Sequence, residues 1–203
     1  MLSNGSTKKS ISLLLLNILG FNLVWFACIF LGNTALIPAL LFLGLHLYLQ
    51  TQLLIELKVV VLLGLLGFLI DSLLALVGVF VFDQQAVFAP FWLLLLWFCF
   101  AATLRHSLAV FAKNLAVACA FGGIGGALSY FSAKELGAVS FAYSDVSMAV
   151  ALSLLWAVKF PFLLHLSQRL VKSQFFSYPL LPARLPYRPS KPSHLNITTK
   201  KEC

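Results

Sequence analysis

Long apolar segments constrain this sequence more than any other feature. Six of them reach about 17 to 25 residues, the length that a helix needs to cross the hydrocarbon core of a bilayer. None alternates with a period of two, as transmembrane β-strands do, and only a helix pairs all its backbone groups within one crossing segment. The sequence therefore predicts an all-α polytopic bundle with six spans, at 11–32, 34–50, 59–82, 88–111, 114–132 and 145–166. A tight turn at Gly32 and Asn33 joins the first two.

The composition leaves little room for anything outside these segments. Hydrophobic residues make up 61% of the 203 residues and charged residues only 10%, whereas ordinary soluble domains are near half apolar and about a quarter charged. We therefore predict a membrane domain at 1–170 and a separate tail at 171–203, with no soluble catalytic domain.

Basic residues predict the orientation, because cytoplasmic segments carry an excess of Lys and Arg. With the N-terminus inside, the inner segments hold Lys8, Lys9, Lys58 and Lys113 and the basic residues of the tail, while only Lys134 lies outside. An even number of spans then places both termini inside. The charge distribution therefore predicts a multi-pass membrane protein with both termini on the inner side.

The tail is basic and rich in proline. Its residues 178–192 include five prolines interleaved with arginine and lysine, and repeated proline blocks helix formation, so a disordered cytoplasmic tail is predicted. A basic cluster beside a membrane attracts anionic lipid headgroups. Because no aromatic-basic recognition pattern accompanies it, we predict no nucleic-acid partner.

Asp71 is the most informative residue of the apolar segments. It lies about 18 Å from either end of the predicted third span at a rise of about 1.5 Å per residue. Its helix face carries small residues that allow close packing, which directs the carboxyl into the bundle: Gly64, Gly67, Ala75 and Gly78. Two interpretations remain, an ion relay or substrate contact and an acid that pins helices together.

Span 5 contains a second group of small residues. Gly122 and Gly126 have the G-x-x-x-G spacing of close helix pairs, and Gly123 and Gly125 lie between them. The alternative is a broken helix whose exposed backbone groups bind a ligand.

Several other polar residues fall in the predicted inner half of the bilayer: His46, Arg105, His106 and Lys159. Span 4 either ends near Arg105, with 106–113 lying along the interface, or continues to Phe111. Arg105 reaches the inner headgroups in the first case and needs a buried partner in the second. These residues either share a polar cavity open to the cytoplasm or form separate pairings. Glu56 lies near a span end, where solvation explains it.

Recognisable catalytic motifs are absent. The sequence has no H-E-x-x-H, G-x-S-x-G or phosphate-binding loop, and its four cysteines lack metal-ligand spacing. We therefore predict no cofactor and no metal.

Two stretches are similar to a known family. They are Pro90-Phe91-Trp92-Leu93 through His106-Ser107-Leu108, and Gly122-Gly123 through Tyr130 with Leu136-Gly137-Ala138. The chain resembles an uncharacterised family of small multi-pass bacterial inner-membrane proteins, grouped as a domain of unknown function, over roughly residues 11 to 166. The resemblance implies the membrane fold and no particular activity.

Three classes of function fit these observations. The first is a noncatalytic membrane partner or accessory factor, favoured by the glycine faces and the missing catalytic motif. The second is a small transporter or channel that uses Asp71. The third is a lipid-active enzyme in which Arg105 or Lys159 holds an anionic headgroup and His106 is a general base. The structure of the bundle distinguishes these classes. A solid bundle favours the first, a cavity through Asp71 favours the second, and a lateral opening at Arg105 and His106 favours the third.

Overall fold

The computed structural model describes residues 3–82 and 89–177, with side chains described over 11–82 and 89–171. Most of the predicted tail lies outside the described residues. The described chain is helical apart from turns and one short two-stranded sheet. Its elements are α1 Ser3–Leu31, a 3-10 turn Gly32–Ala35, α2 Leu36–Tyr48, α3 Leu53–Leu76, β1 Phe80–Val81, α4 Phe91–Ala101, a 3-10 segment Ser107–Lys113, α5 Leu115–Glu135, β2 Ser140–Phe141 and α6 Asp145–Ser177.

Four stretches are long enough and apolar enough to cross a membrane: Ile11–Tyr48, Leu53–Leu76, Leu115–Glu135 and Asp145–Val171. Many of their large apolar side chains point outward, as helices facing lipid do. The all-α class is confirmed, and these helices indicate a membrane protein. The fourth predicted span is shorter, because α4 has 11 residues and covers only about 16 Å.

The first of these stretches folds back on itself. Gly32 has φ +55°, a left-handed conformation that suits a residue without Cβ, and the chain reverses there. The ring of Phe42 then packs directly against Gly20. α1 and α2 are therefore an antiparallel hairpin, as the short turn at Gly32 and Asn33 predicts.

The two ends of the bundle are built differently. β1 pairs antiparallel with β2, Phe80 opposite Phe141, so the end of α3 meets the connection between α5 and α6. We call this the sheet end (residues 78–82 and 137–142). The far end (residues 49–56 and 102–115) holds the end of α2, the start of α3 and the segment after α4. α1 begins and α6 ends toward the far end.

Two predicted boundaries are wrong. The third span was predicted at 59–82, but α3 runs from Leu53 to Leu76. It ends early because Gly78, at φ +76°, turns the chain into β1. It begins six residues before the predicted start because Glu56 is paired with other side chains inside the bundle and does not need solvent.

The fourth span does not continue to Phe111 as one helix. α4 ends at Ala101, and a run of turns leads into the 3-10 segment Ser107–Lys113. Thr103 stabilises the break, since its hydroxyl donates to the Phe100 carbonyl at 2.6 Å and its carbonyl accepts from the Leu108 amide at 3.0 Å. The alternative with a separate 106–113 segment therefore describes the chain better.

Five of the predicted packing glycines lie at close helix contacts. A Cβ on Gly64 would collide with Phe98, and one on Gly67 with Trp97, so α4 lies directly against α3. Gly122 and Gly126 pack in the same way against Phe160 and Trp156 of α6, and Gly123 faces the Ser153 carbonyl. α5 is unbroken through this run, which removes the broken-helix alternative.

The remaining two glycines have no packing role in the bundle. Nothing comes within 4 Å of a Cβ built on Gly78, and Gly125 meets only Phe121 of its own helix, at 4.0 Å. Gly78 forms the turn that leads from α3 into β1, and Gly125 lies beside the face of α5 that contacts α6.

Candidate functional site

Asp71 lies at the centre of a buried polar cluster that joins four helices. Its side chain is fully buried, 0% exposed. Oδ2 accepts from the Trp97 indole at 2.8 Å and from the Tyr130 hydroxyl at 2.5 Å, and Oδ1 accepts from Lys159 Nζ at 3.2 Å. Both carboxylate oxygens are therefore engaged by donors from α4, α5 and α6.

Lys159 is enclosed by aromatic rings. It is 4% exposed, and its Nζ lies 4.1 Å from the ring centroid of Trp97 and 4.7 Å from that of Trp156. The two indoles are stacked on each other at 5.7 Å. Ring faces attract a desolvated cation, so the ammonium is stabilised by the carboxylate and by both rings.

Asp71 is not midway along its helix, where the sequence predicts it. It is five residues before the end of α3 at Leu76, which is about 7.5 Å along the axis. The cluster thus lies nearer the sheet end. Of the two alternatives for the inner polar residues, separate pairings describe Lys159, which pairs with Asp71. Its predicted depth was in error because α6 continues to Ser177, well beyond the predicted end at 166.

A second buried cluster surrounds Glu56 at the far end. Its Oε1 accepts from His46 Nε2 at 2.9 Å and from His106 Nε2 at 3.2 Å, and its Oε2 accepts from Arg105 Nη1 at 2.5 Å. Glu56 is 1% exposed, so the interpretation that solvent explains it is wrong. The structure therefore brings His46, Arg105 and His106 together around a carboxylate that the sequence analysis set aside.

A signal for Glu56 was present in the sequence. The spacing Glu56, Val60, Leu63, Gly67, Asp71 is four, three, four and four residues, so all five share one face of α3. Extending the Asp71 stripe from Gly64 by about two turns toward the N-terminus would have placed Glu56 in the bundle.

Asn17 of α1 completes this cluster, and the sequence analysis did not select it. Its Oδ1 accepts from the Ser107 hydroxyl at 2.6 Å and its Nδ2 donates to the Ala102 carbonyl at 3.2 Å. Nδ2 also lies 3.5 Å from Nδ1 of His46. Asn17 thereby holds the turn after α4 against the α1–α2 hairpin, and its polarity within an apolar run was the available signal.

A cavity of about 300 Å³ adjoins the Glu56 cluster. Its lining combines polar groups, among them both histidines of the cluster, with leucines of α1 and α2. These leucines are themselves exposed on the outer surface, so the cavity reaches the face that acyl chains would contact. Its lining is Leu13, Leu14, Leu16, Asn17, Phe42, Leu45, His46, Leu49, Gln50 and His106.

A smaller cavity, about 160 Å³, lies at the sheet end. Its walls are mostly apolar or backbone, with the Cys28 thiol as a weakly polar group, and they include Ile29, Trp92 and Ala138. Asp71 lines neither cavity.

The Glu56 cluster also has the donor set of a metal site. His46, Glu56 and His106 each offer one ligand atom, and these atoms lie within 4.8 Å of one another. Two imidazoles and a carboxylate suit a divalent transition ion.

A helical bundle with four stretches long and apolar enough to cross a membrane, and with buried, paired charges, is typical of α-helical integral membrane proteins. The chain belongs to the family described as protein of unknown function (DUF2878), whose model matches residues 14–162. The match covers every residue of both clusters, and it confirms the predicted resemblance to an uncharacterised family. No curated protein and no solved structure matches the chain.

Proposed function

We propose that this protein is a lipid-active membrane protein that receives the polar head of a membrane amphiphile in the cavity beside Glu56. The observation that carries the proposal is the composition of that cavity, whose lining combines imidazole and amide groups with leucines that are exposed on the outer surface. An amphiphile matches both kinds of group at once, since its head pairs with the polar groups while its chain stays against leucine.

The size of the cavity fits a head better than a whole lipid. About 300 Å³ is at the lower end of the range for small-molecule sites, roughly 300–1,000 Å³. A head and the first carbons of a chain fill it, and the rest of the chain lies outside along α1 and α2. This arrangement favours a single-chain amphiphile over a bulky two-chain lipid.

His106 is the group best placed for chemistry. It is half-buried and lines the cavity, and its Nε2–H donates to Glu56. The carboxylate fixes the ring and its tautomer, as a third group does for catalytic histidines. Among the described residues nothing hydrogen-bonds to Nδ1, so that nitrogen can accept a proton from a bound head.

Arg105 and Lys159 take different roles from those first expected. Arg105 pairs with Glu56 and does not line the cavity, so it orients the carboxylate that supports His106. Lys159 pairs with Asp71 on the sheet side of the bundle. Neither holds a headgroup in this proposal.

The other two classes receive less support. Transport through Asp71 requires an open path, whereas both oxygens of that carboxyl are engaged and Asp71 lines neither cavity. An accessory role fits a bundle without a cavity at the histidines, and it remains the alternative if no lipid binds.

The proposed arrangement in the membrane has six crossings with the far end inside. Lys58 and Lys113 lie at or near the far end and Lys134 near the sheet end, in agreement with the excess of basic residues expected inside. The helices α2 and α4 are too short to cross the membrane alone, and the turns that follow them complete these two crossings. The proposal places the protein in the bacterial inner membrane, with the basic tail on anionic headgroups and room for a membrane-protein partner.

The test is lipid binding by the full chain, purified in mild detergent and analysed by native mass spectrometry. Leu45→Trp fills the cavity, because Leu45 lines it. Leu41→Trp is the matched control on the same helix, since Leu41 is exposed and is not part of the lining. We expect the wild type and Leu41→Trp to retain one lipid and Leu45→Trp to lose it by about tenfold or more, because one indole ring occupies much of the site.

Two outcomes would contradict the proposal. One is a wild-type protein that retains no lipid from membranes or added single-chain amphiphiles. The other is equal retention by Leu45→Trp and Leu41→Trp, which would place the lipid on the general surface of the bundle.

A further inference from the structure

We propose that His46, Glu56 and His106 bind a divalent transition metal ion, with Zn²⁺ as the ion that best suits two imidazoles and one carboxylate. Three protein ligands and one open position are typical of reactive zinc sites, and here both imidazoles line the cavity. The inference deepens the proposed function and replaces the role of His106 in it, because a metal-bound His106 carries its proton on Nδ1 and no longer accepts one. Only the identity of the fourth ligand rests on lipid binding.

The distances carry the argument. Zinc binds nitrogen and oxygen at about 2.0–2.2 Å, so tetrahedral ligands lie roughly 3.4 Å from one another. Glu56 Oε1 is 2.9 Å from His46 Nε2 and 3.2 Å from His106 Nε2, and the three atoms lie within 4.8 Å of one another. An ion between them therefore requires the ligands to move by about 1.5 Å at most.

The surroundings hold the ligands in place. His46 comes from α2, Glu56 from α3 and His106 from the turn after α4, so three separate segments fix the three ligands. Arg105 binds the second oxygen of Glu56 at 2.5 Å, which leaves Oε1 directed at the imidazoles. Partners of this kind, which orient a ligand without touching the metal, are typical of metal sites.

Metal binding requires two protons to move. In the structure each imidazole donates from Nε2 to Glu56; with a metal bound, each uses its Nε2 lone pair and carries its proton on Nδ1. For His46 that proton faces the amide of Asn17, 3.5 Å away, which donates in the present arrangement. Asn17 must therefore rotate to present its oxygen when the metal binds.

Charge predicts the fourth ligand. Glu56 and Arg105 cancel, so a divalent ion leaves two positive charges in a mostly buried site, which is costly without compensation. An anion entering from the cavity lowers that cost. Hydroxide is one source, and the phosphate or carboxylate of a lipid head is the other.

The experiment uses the full chain in detergent, stripped with a chelator and titrated with ZnCl₂, with CoCl₂ as a spectroscopic probe. We expect one equivalent of zinc and the visible absorption of tetrahedral Co²⁺. His106→Ala should weaken zinc binding by more than about 100-fold, because loss of an outer partner alone costs about 10–100-fold. His165→Ala is the control, since His165 is exposed on α6 beside Arg169.

A second variant separates loss of a ligand from misfolding. His106→Glu carries a carboxylate oxygen about as far from Cβ as Nε2 is, so it offers a zinc ligand at nearly the same position and should restore zinc binding and the visible absorption of tetrahedral Co²⁺. Adding an alkyl phosphate or a fatty acid to the Co²⁺ form should change the visible spectrum if the lipid head is the fourth ligand; an unchanged spectrum assigns that position to hydroxide or water.

The proposal fails if the wild type binds no stoichiometric zinc, or if His106→Ala binds zinc as the wild type does, which would place the ion at other histidines or thiols. It also fails if His106→Glu folds but does not restore binding. If the protein retains lipid in a way that depends on Leu45 but binds no zinc, the proposed function is supported and only the metal site is contradicted.

Discussion

Replacing Asp71 by asparagine tests the buried ion pair. The change preserves the size of the side chain but removes the charge that faces Lys159, whose side chain is almost fully buried. Trp97 and Tyr130 can still donate to the amide oxygen, so the main loss is the compensation of the ammonium. Removing one partner of a buried pair costs about 3–5 kcal/mol, and we expect Asp71→Asn to lose that much free energy of unfolding.

The double variant Asp71→Asn with Lys159→Met supplies the internal check. It removes the cation as well, and replacement of a buried pair by uncharged groups is often neutral or stabilising. We therefore expect the double variant to be more stable than Asp71→Asn alone by at least about 2 kcal/mol, because no uncompensated charge remains.

The assay is reversible unfolding of the full chain in mixed micelles, followed by fluorescence of Trp97 and Trp156, which flank the pair. Asp145→Asn is the matched control, because Asp145 forms an exposed pair with Lys134 and its loss should leave the unfolding midpoint unchanged. A stability of Asp71→Asn within about 1 kcal/mol of the wild type would refute the reasoning, as would a double variant less stable than the single one.

The remaining predictions concern packing, hydrogen bonding and topology. Gly126→Ala should lower the free energy of unfolding by about 1–3 kcal/mol because its methyl group collides with an indole ring, whereas Gly125→Ala, in open space, should be neutral or stabilising by up to about 1 kcal/mol; equal effects would contradict the packing. Tyr130→Phe removes one donor to a carboxylate and should cost about 1.5–3 kcal/mol in the same assay, and an unchanged stability would remove that bond. Reporter fusions at Asp83 and Ser193 should report outside and inside, and equal signals would contradict the orientation.

The sequence predicts the local features of this fold well. Apolar length gives the helical class, and the turn residues Gly32 and Asn33 give the α1–α2 hairpin. The small-residue faces of α3 and α5 follow from helical spacing alone, and the same spacing directs Asp71 inward, where the structure places it. Each of these depends on residues close together in the chain.

The partners of the polar residues were not predictable in the same way. Asp71 and Lys159 are 88 residues apart, and a single sequence does not say which helices touch. The depth of each polar residue was counted from the predicted ends of its helix. Hydropathy does not define those ends where leucines continue on either side of them. An error of six residues at the start of α3 moved Glu56 from the bundle to the solvent and Asp71 to the middle of its helix.

Photolabelling in the membrane tests the central claim, a lipid head at the Glu56 cavity, most directly. Cells that produce the full chain are given a single-chain lipid with a photoreactive group next to its head, irradiated, and the protein is mapped by peptide mass spectrometry. The account predicts adducts concentrated on residues 13–17 of α1 and 45–50 of α2, and loss of those adducts in Leu45→Trp but not in Leu41→Trp. Labelling spread evenly over the exposed faces of α1, α3, α5 and α6, and unchanged by Leu45→Trp, would contradict it.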